Sequence, residues 1–261
     1  MTKKYNKSIR FQKFEGNKLI EGKYFMKKVL MFFLFTSLVT YIFSFTIIDQ
    51  YIGAAPTHPK YVGEDIIGSP DLYDITKLDI NVDNNVLNAA IHSNYFDNIG
   101  SGSTLLGDLF ISTDGYSPVI PSEYDEQSNG EDWEYVITLD DHSGNTTSGS
   151  AYLYSVDDQR IISSFAPGNF IFRANQEVLY DNTGLPYLEI GTWSLNHDFS
   201  YLEIAINIVA PWLHIQEFGF HWGMTCANDI IEGKVNIVPE PLSFVMFGVG
   251  LLGFIGFWKK K

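Results

Sequence analysis

Between Ile75 and Val235, apolar and polar residues alternate over short runs separated by clusters of Gly, Asn, Asp, Ser and Pro. A period of two puts alternate side chains on opposite faces of a strand, and the intervening clusters are turn formers. The clearest case is Tyr201 to Val209. There Leu202, Ile204, Ile206 and Ile208 share one face, and Tyr201, Glu203, Ala205 and Asn207 the other. Lys77–Val82, Val86–Phe96, Leu105–Ser112, Glu134–Leu139, Ala151–Val156 and Tyr187–Leu195 read as further strands. Phe218, Phe220, Trp222 and Met224 alternate with Gly219, His221 and Gly223, which predicts a strand that buries an aromatic face. No body segment holds a helical apolar stripe for three turns, and no 20–50-residue repeat is present. The pattern predicts an all-β body: a single β-sandwich or jelly-roll-like domain over residues 49–237.

Two longer apolar runs flank this body. Val29 to Ile48 follows Met26-Lys27-Lys28, a basic-then-apolar order that reads as a secretory signal. Small residues at Ser44-Phe45-Thr46 are spaced for cleavage, and an uncleaved anchor helix is the alternative, since about 20 apolar residues can span a bilayer. Residues 1–25 are basic, polar and aperiodic, and read as an extension upstream of a start at Met26. At the other end Pro239-Glu240-Pro241 precedes an uncharged run from Leu242 to Trp258, followed by three lysines. Two prolines so spaced make an extended, accessible joint. Gly248, Gly250, Gly253 and Gly256 would smooth a membrane helix for close contact, and the lysines would hold its cytoplasmic end.

The order of Pro239-Glu240-Pro241, glycine-bearing apolar run and basic tail over residues 238–261 resembles the PEP-CTERM signal of exosortase substrates, found in bacteria that make extracellular polysaccharide. That resemblance implies export, transient anchoring in the inner membrane, and removal of the anchor near Pro239, Glu240 and Pro241 by an exosortase. Further blocks resemble a family of exosortase-dependent surface proteins. They are Tyr51-Ile52-Gly53, Asp65-Ile66-Ile67-Gly68, Gly107 to Ser112, Thr192-Trp193-Ser194 and, most specific, His221 to Gly233. The family implies a location at the cell surface or outside the cell and brings no reaction with it.

Charge is segregated. From Asp49 to Val238 there are 28 Asp/Glu and five Lys/Arg, a net charge of −23. A body this acidic repels phosphate backbones and anionic headgroups, which excludes nucleic acid as a partner. Cys226 is the only cysteine, so no disulfide forms within the chain.

Candidate chemistry is sparse. His221 and Cys226 are the one close His/Cys pair, too few for zinc. Calcium suits an acidic protein better, because it takes carboxylate and carbonyl oxygens. The candidate ligands are Asn228, Asp229 and Glu232, set against a structural reading in which Asp229 caps a turn, Gly233 takes a positive φ and His221 bridges to Asp229 or Glu232. Asp83-Asn84-Asn85, Asp140-Asp141, Asp157-Asp158 and Asp181-Asn182 read first as solvated turns. Trp133, among Glu131, Asp132 and Glu134, and Trp212, after Pro211, are expected near the surface, where an indole beside carboxylates can hold a sugar. No Gly-x-Ser-x-Gly and no strand of alternating carboxylates occurs. The sequence therefore points to a non-catalytic structural or glycan-contacting protein of the extracellular polysaccharide matrix. A secreted glycan hydrolase, with carboxylates near Trp133, is the alternative.

Overall fold

The structure, a computed structural model, describes residues 43–49, 65–83, 85–99, 104–117, 131–165 and 172–236. Its strands are β1 (Phe43–Ile48), β2 (Ile75–Asp83), β3 (Val86–Ser93), β4 (Leu109–Ser112), β5 (Tyr135–Leu139), β6 (Ser148–Ser155), β7 (Ile161–Ser163), β8 (Glu177–Tyr180), β9 (Glu189–Asn196), β10 (Tyr201–Asn207), β11 (Glu217–Gly223) and β12 (Ile230–Asn236). One short helix, α1 (Pro70–Tyr73), and 3-10 turns at Asn94–Asp97, Asp158–Arg160 and Ala210–His214 complete the described elements. The body is all-β.

Ten strands hydrogen-bond in one antiparallel series, β1-β2-β3-β10-β9-β6-β5-β4-β11-β12. Its two ends come together, because Ile47 on β1 packs on Gly233 of β12. A Cβ on Gly233 would lie 2.7 Å from Ile47 Cγ2. The sheet is thus curled and nearly barrel-like, which leaves few exposed edges. Gly233 serves this close approach within a strand; the positive φ expected of it falls instead on Ala227, at 46°.

Alternation decides which residues fill the interior. Leu202, Ile204 and Ile206 of β10 are buried while Glu203 is exposed, as the pattern predicts. They join Leu78, Ile80, Leu87, Ile91, Leu109, Ile137, Leu153, Trp193, Phe220 and Trp222 in one core. β11 departs from the rule: Phe218, Phe220 and Trp222 face the core, yet His221 on the other face is also fully buried. The reason is a second layer. β7 and β8 form a separate antiparallel pair beside β5 and β11. Between this pair and the main sheet lies a second apolar cluster of Phe110, Trp133, Val136, Tyr154 and Tyr180.

Strands β1, β7, β8 and β12 are not anticipated by the sequence pattern. β1 covers the last six residues of the apolar run assigned to a signal; Phe-Ser-Phe-Thr-Ile-Ile alternates and is β-branched, which suits a strand paired to β2. Most of that run, the Pro239–Pro241 joint and the apolar segment after it lie outside the described residues. Among the described residues no helix is long and apolar enough to cross a membrane.

Candidate functional site

The segment joining β11 to β12, Met224 to Asp229, is buried throughout. A buried loop must satisfy its backbone groups internally, and this one does so by binding four distant segments, at Ile67, at Thr104 and Leu105, at Phe165 and at Arg173. Thr225 N–H donates to the Leu105 carbonyl, and Thr225 Oγ1 accepts from Leu105 N. Cys226 N–H donates to Thr104 Oγ1 at 3.1 Å. The Asn228 carbonyl accepts from Ile67 N at 2.7 Å, and the Cys226 carbonyl from Arg173 N at 3.1 Å. Met224 to Asp229 is therefore the knot of the fold.

Asp229 sits at its end, fully buried. Its Oδ2 accepts from Ile75 N at 2.6 Å and its Oδ1 from Ile230 N at 3.0 Å, so it caps the start of both β2 and β12. Two more carboxylates converge on it. Asp49, after β1, and Asp74, after α1, each place an oxygen so that the three groups lie within 4.8 Å of one another. Asp65 is a fourth neighbour; its backbone carbonyl accepts from the buried guanidinium of Arg173 at 2.5 Å. Crowded, dehydrated carboxylates resist ionisation. Burial, then the charges of Asp229 and Asp65, push Asp49 up to about 9. Burial also lifts Asp229 well above the carboxylate range, against the pull of the Ile75 amide and Arg173, and lifts Asp74. Among the described residues, the buried Oδ1 atoms of Asp49 and Asp65 meet no hydrogen-bond donor. The site has two ways to relieve itself: hold protons, or share a hard cation among its oxygens.

This regroups the expected ligand set. Asn228 contributes its carbonyl to Ile67, and Asp229 belongs to the cluster, but Glu232 lies in another network. Asp49, Asp65 and Asp74 replace it; they are 155 to 180 positions away in sequence, and no spacing rule could have gathered them. The other acidic pairs act as turn caps. Asp141 accepts from Ser143 N and Thr146 N, Asp157 from Gln159 N and Asp181 from Thr183 N.

Glu232 instead bonds His221. His221 Nδ1 is 2.7 Å from Glu232 Oε2, and Nε2 is 2.8 Å from the Glu177 carbonyl. Both partners are acceptors, so the geometry suits an imidazolium carrying two protons. Burial alone would depress His221, but the hydrogen bond and charge of Glu232 outweigh it and raise the pKa. Glu232 Oε1 accepts from Tyr116 Oη at 2.6 Å, which ties the pair to the segment after β4. Breaking a buried ion pair from one side leaves the other charge uncompensated, at a cost of about 3–5 kcal/mol. His221→Ala is expected to lose that much in urea denaturation at pH 6. A loss under 1 kcal/mol would show that the pair is not ionic.

Trp133 and Trp212 are not at the surface. Trp133 is 4% exposed, with its ring 5.6 Å from that of His221. Trp212 is 3% exposed and packs edge-on against Tyr135 and Phe218. Hydropathy around Pro211 could not show that its turn folds inward. Trp133 lines a pocket of about 360 Å³ together with Glu131, Asp132, Asp158, Ile161, Asn175 and Glu177.

No family model, no curated protein and no solved structure matches this chain. The likeness to exosortase substrates therefore rests on the residues that carry it.

One of those blocks has a physical explanation. Gly107 precedes Asp108, whose buried carboxylate accepts from Tyr180 N at 2.8 Å and pairs with His142 Nε2 at 2.6 Å. Burial raises the Asp108 pKa against the opposing pull of His142. Asp108 thus anchors β8 and the turn after β5 to the entry of β4. Cys226 is buried, and burial pushes its thiol up, away from the reactive thiolate.

Proposed function

We propose that this chain is an exported surface protein of the extracellular polysaccharide matrix, passed through the inner membrane and released from a transient C-terminal anchor by an exosortase. Its sandwich-like β body acts as a structural or glycan-contacting element without catalysis. The observation that carries the reading is the ordered C-terminal segment: Pro239-Glu240-Pro241, an apolar run of 17 residues from Leu242 to Trp258, and Lys259-Lys260-Lys261.

Support for the non-catalytic half comes from the carboxylates nearest Trp133. Glu131 Oε2 accepts from Ser117 N at 2.6 Å, and Glu134 Oε2 from Thr113 N at 2.6 Å. Both hold the segment after β4 in place, and a glycosidase acid or nucleophile would need to reach a sugar instead. Calcium belongs to the same proposal, at the Asp49–Asp65–Asp74–Asp229 cluster.

The sorting step has a direct check. Mass mapping of the mature protein from its native host is expected to find no peptide beyond Pro241. Intact Lys261 at full yield in wild-type cells would reject exosortase processing.

A further inference from the structure

Strand β1 and the export signal claim the same residues. The apolar run from Val29 to Ile48 ends in Phe43–Ile48, and those six residues form a strand of the main sheet. All six pair with β2, from Phe43 opposite Val82 to Ile48 opposite Lys77. Thr46 Oγ1 donates to Asp79 Oδ1 at 2.5 Å, and Asp49 N donates to the Thr76 carbonyl at 3.2 Å. Phe45 packs on the core, and Ile47 is buried within it, against Gly233 of β12. Asp49, just past the strand, joins the carboxylate cluster. β1 therefore belongs to the folded body and closes the sheet.

That assignment takes away the length an uncleaved anchor needs. With six residues committed to β1, Val29 to Ile42 leaves 14. As a helix these would reach about 21 Å, against a hydrocarbon core of about 30 Å. Lys27 and Lys28 close the other end of the run. A run of this length fits the ~7–15-residue apolar region of a cleaved signal. Cleavage at Ser44-Phe45-Thr46 fails for a different reason. A cut after Thr46 would remove four of the six pairings with β2, together with Phe45 and the Thr46–Asp79 bond. β2 would become a long open edge, a template for pairing with other chains.

We propose that the export signal is cut upstream of β1, between Ser37 and Phe43, so that the mature chain keeps its closing strand. Val29 to Phe35 is apolar throughout, enough for the signal's apolar region, and Ser37 and Thr40 are the small residues ahead of the strand. The cut adds one water across one peptide bond, leaving a carboxylate on the signal fragment and an ammonium group on the mature chain. This rests on the export reading above and deepens it by locating its N-terminal step.

The test is N-terminal sequencing of the protein recovered from the surface, membrane and cytosolic fractions of its native host. The first residue of the surface form is expected from Leu38 to Phe43. A first residue outside that window, Ile47 for example, would overturn the proposal and leave export standing. An uncut N-terminus in the membrane fraction at full yield would overturn it in favour of an anchor. An uncut chain confined to the cytosol would overturn the export reading as well. Phe45→Ala supplies a second readout on the mature protein. Its melting temperature should fall by about 5 °C or more, because the side chain packs on the core. An unchanged melting temperature would overturn the proposal, by showing that β1 is not part of the mature fold.

Discussion

Raising the pH from 5 to 9 in the presence of a chelator will progressively lower the melting temperature of the full chain, and an Asp49→Asn variant will lose part of that slope. The sign follows from proton linkage. Asp49 is pushed up to about 9 when folded, against about 4 unfolded. Between those values the folded state holds a proton that the unfolded state has released. Stability contributed by that proton is full below the unfolded pKa and is lost as pH rises through the folded one. Asp74, Asp229 and Asp108 are raised and add in the same direction. His221 and His142 are raised too, so their contributions also fade with rising pH. One such group is worth at most about 1.4 kcal/mol per pH unit. Asp49 is only half-buried, so solvent screening reduces this to a few kcal/mol over the range, or roughly 5–10 °C for a domain of this size.

Calcium separates the two ways of relieving the cluster. A cation that binds only the folded state stabilises it by mass action, and it competes with the protons it displaces. Millimolar calcium at pH 8 is expected to restore the lost melting temperature in the wild type and to do nothing for Asp49→Asn. If calcium leaves the wild-type melting temperature unmoved from pH 5 to 9, the cluster is a proton store and the calcium proposal fails.

Gly107→Ala will cost 3 kcal/mol or more, about the upper end for overpacking, or will prevent folding. A Cβ there would lie 1.8 Å from the Gly223 carbonyl oxygen and 3.0 Å from that of Val178. Both obstacles are backbone, and neither can swing aside. The approach cannot widen cheaply, because Trp222 Nε1 donates to the Gly107 carbonyl at 3.1 Å and Asp108 N to the Val178 carbonyl at 2.8 Å. Gly184→Ala is the control. Gly184 has a positive φ of 76° but open space around it, so Ala costs only the backbone strain of about 1–2 kcal/mol. Urea denaturation of both variants measures the difference. A Gly107→Ala protein as stable as Gly184→Ala would refute the close packing of the β4 entry against the end of β11.

Legibility in the sequence follows range. Leu202, Ile204 and Ile206 announced their shared face because a strand's period is local, and so did the aromatic face of β11. The sequence failed where burial came from another segment. Around β12 the turn formers Asn228, Asp229 and Gly233 conceal the strand in isolation; Ile47 reaching Gly233 makes it a strand at the seam. Trp133 carried every local mark of a surface residue, beside two acids, until β7 and β8 covered it.

The sequence by itself determined the all-β class, the interior face of its clearest strands and the acidity of the body, because period, turn chemistry and charge are properties of neighbours along the chain. Only the tertiary structure decided that the strands form one nearly closed sheet, that Asp49, Asp65 and Asp74 crowd Asp229, that Glu232 pairs with His221, and that Trp133 lines a carboxylate pocket. Each of these joins residues whose proximity depends on strand order, and burial by a distant segment changes a side chain's charge state and partners in ways no local pattern records.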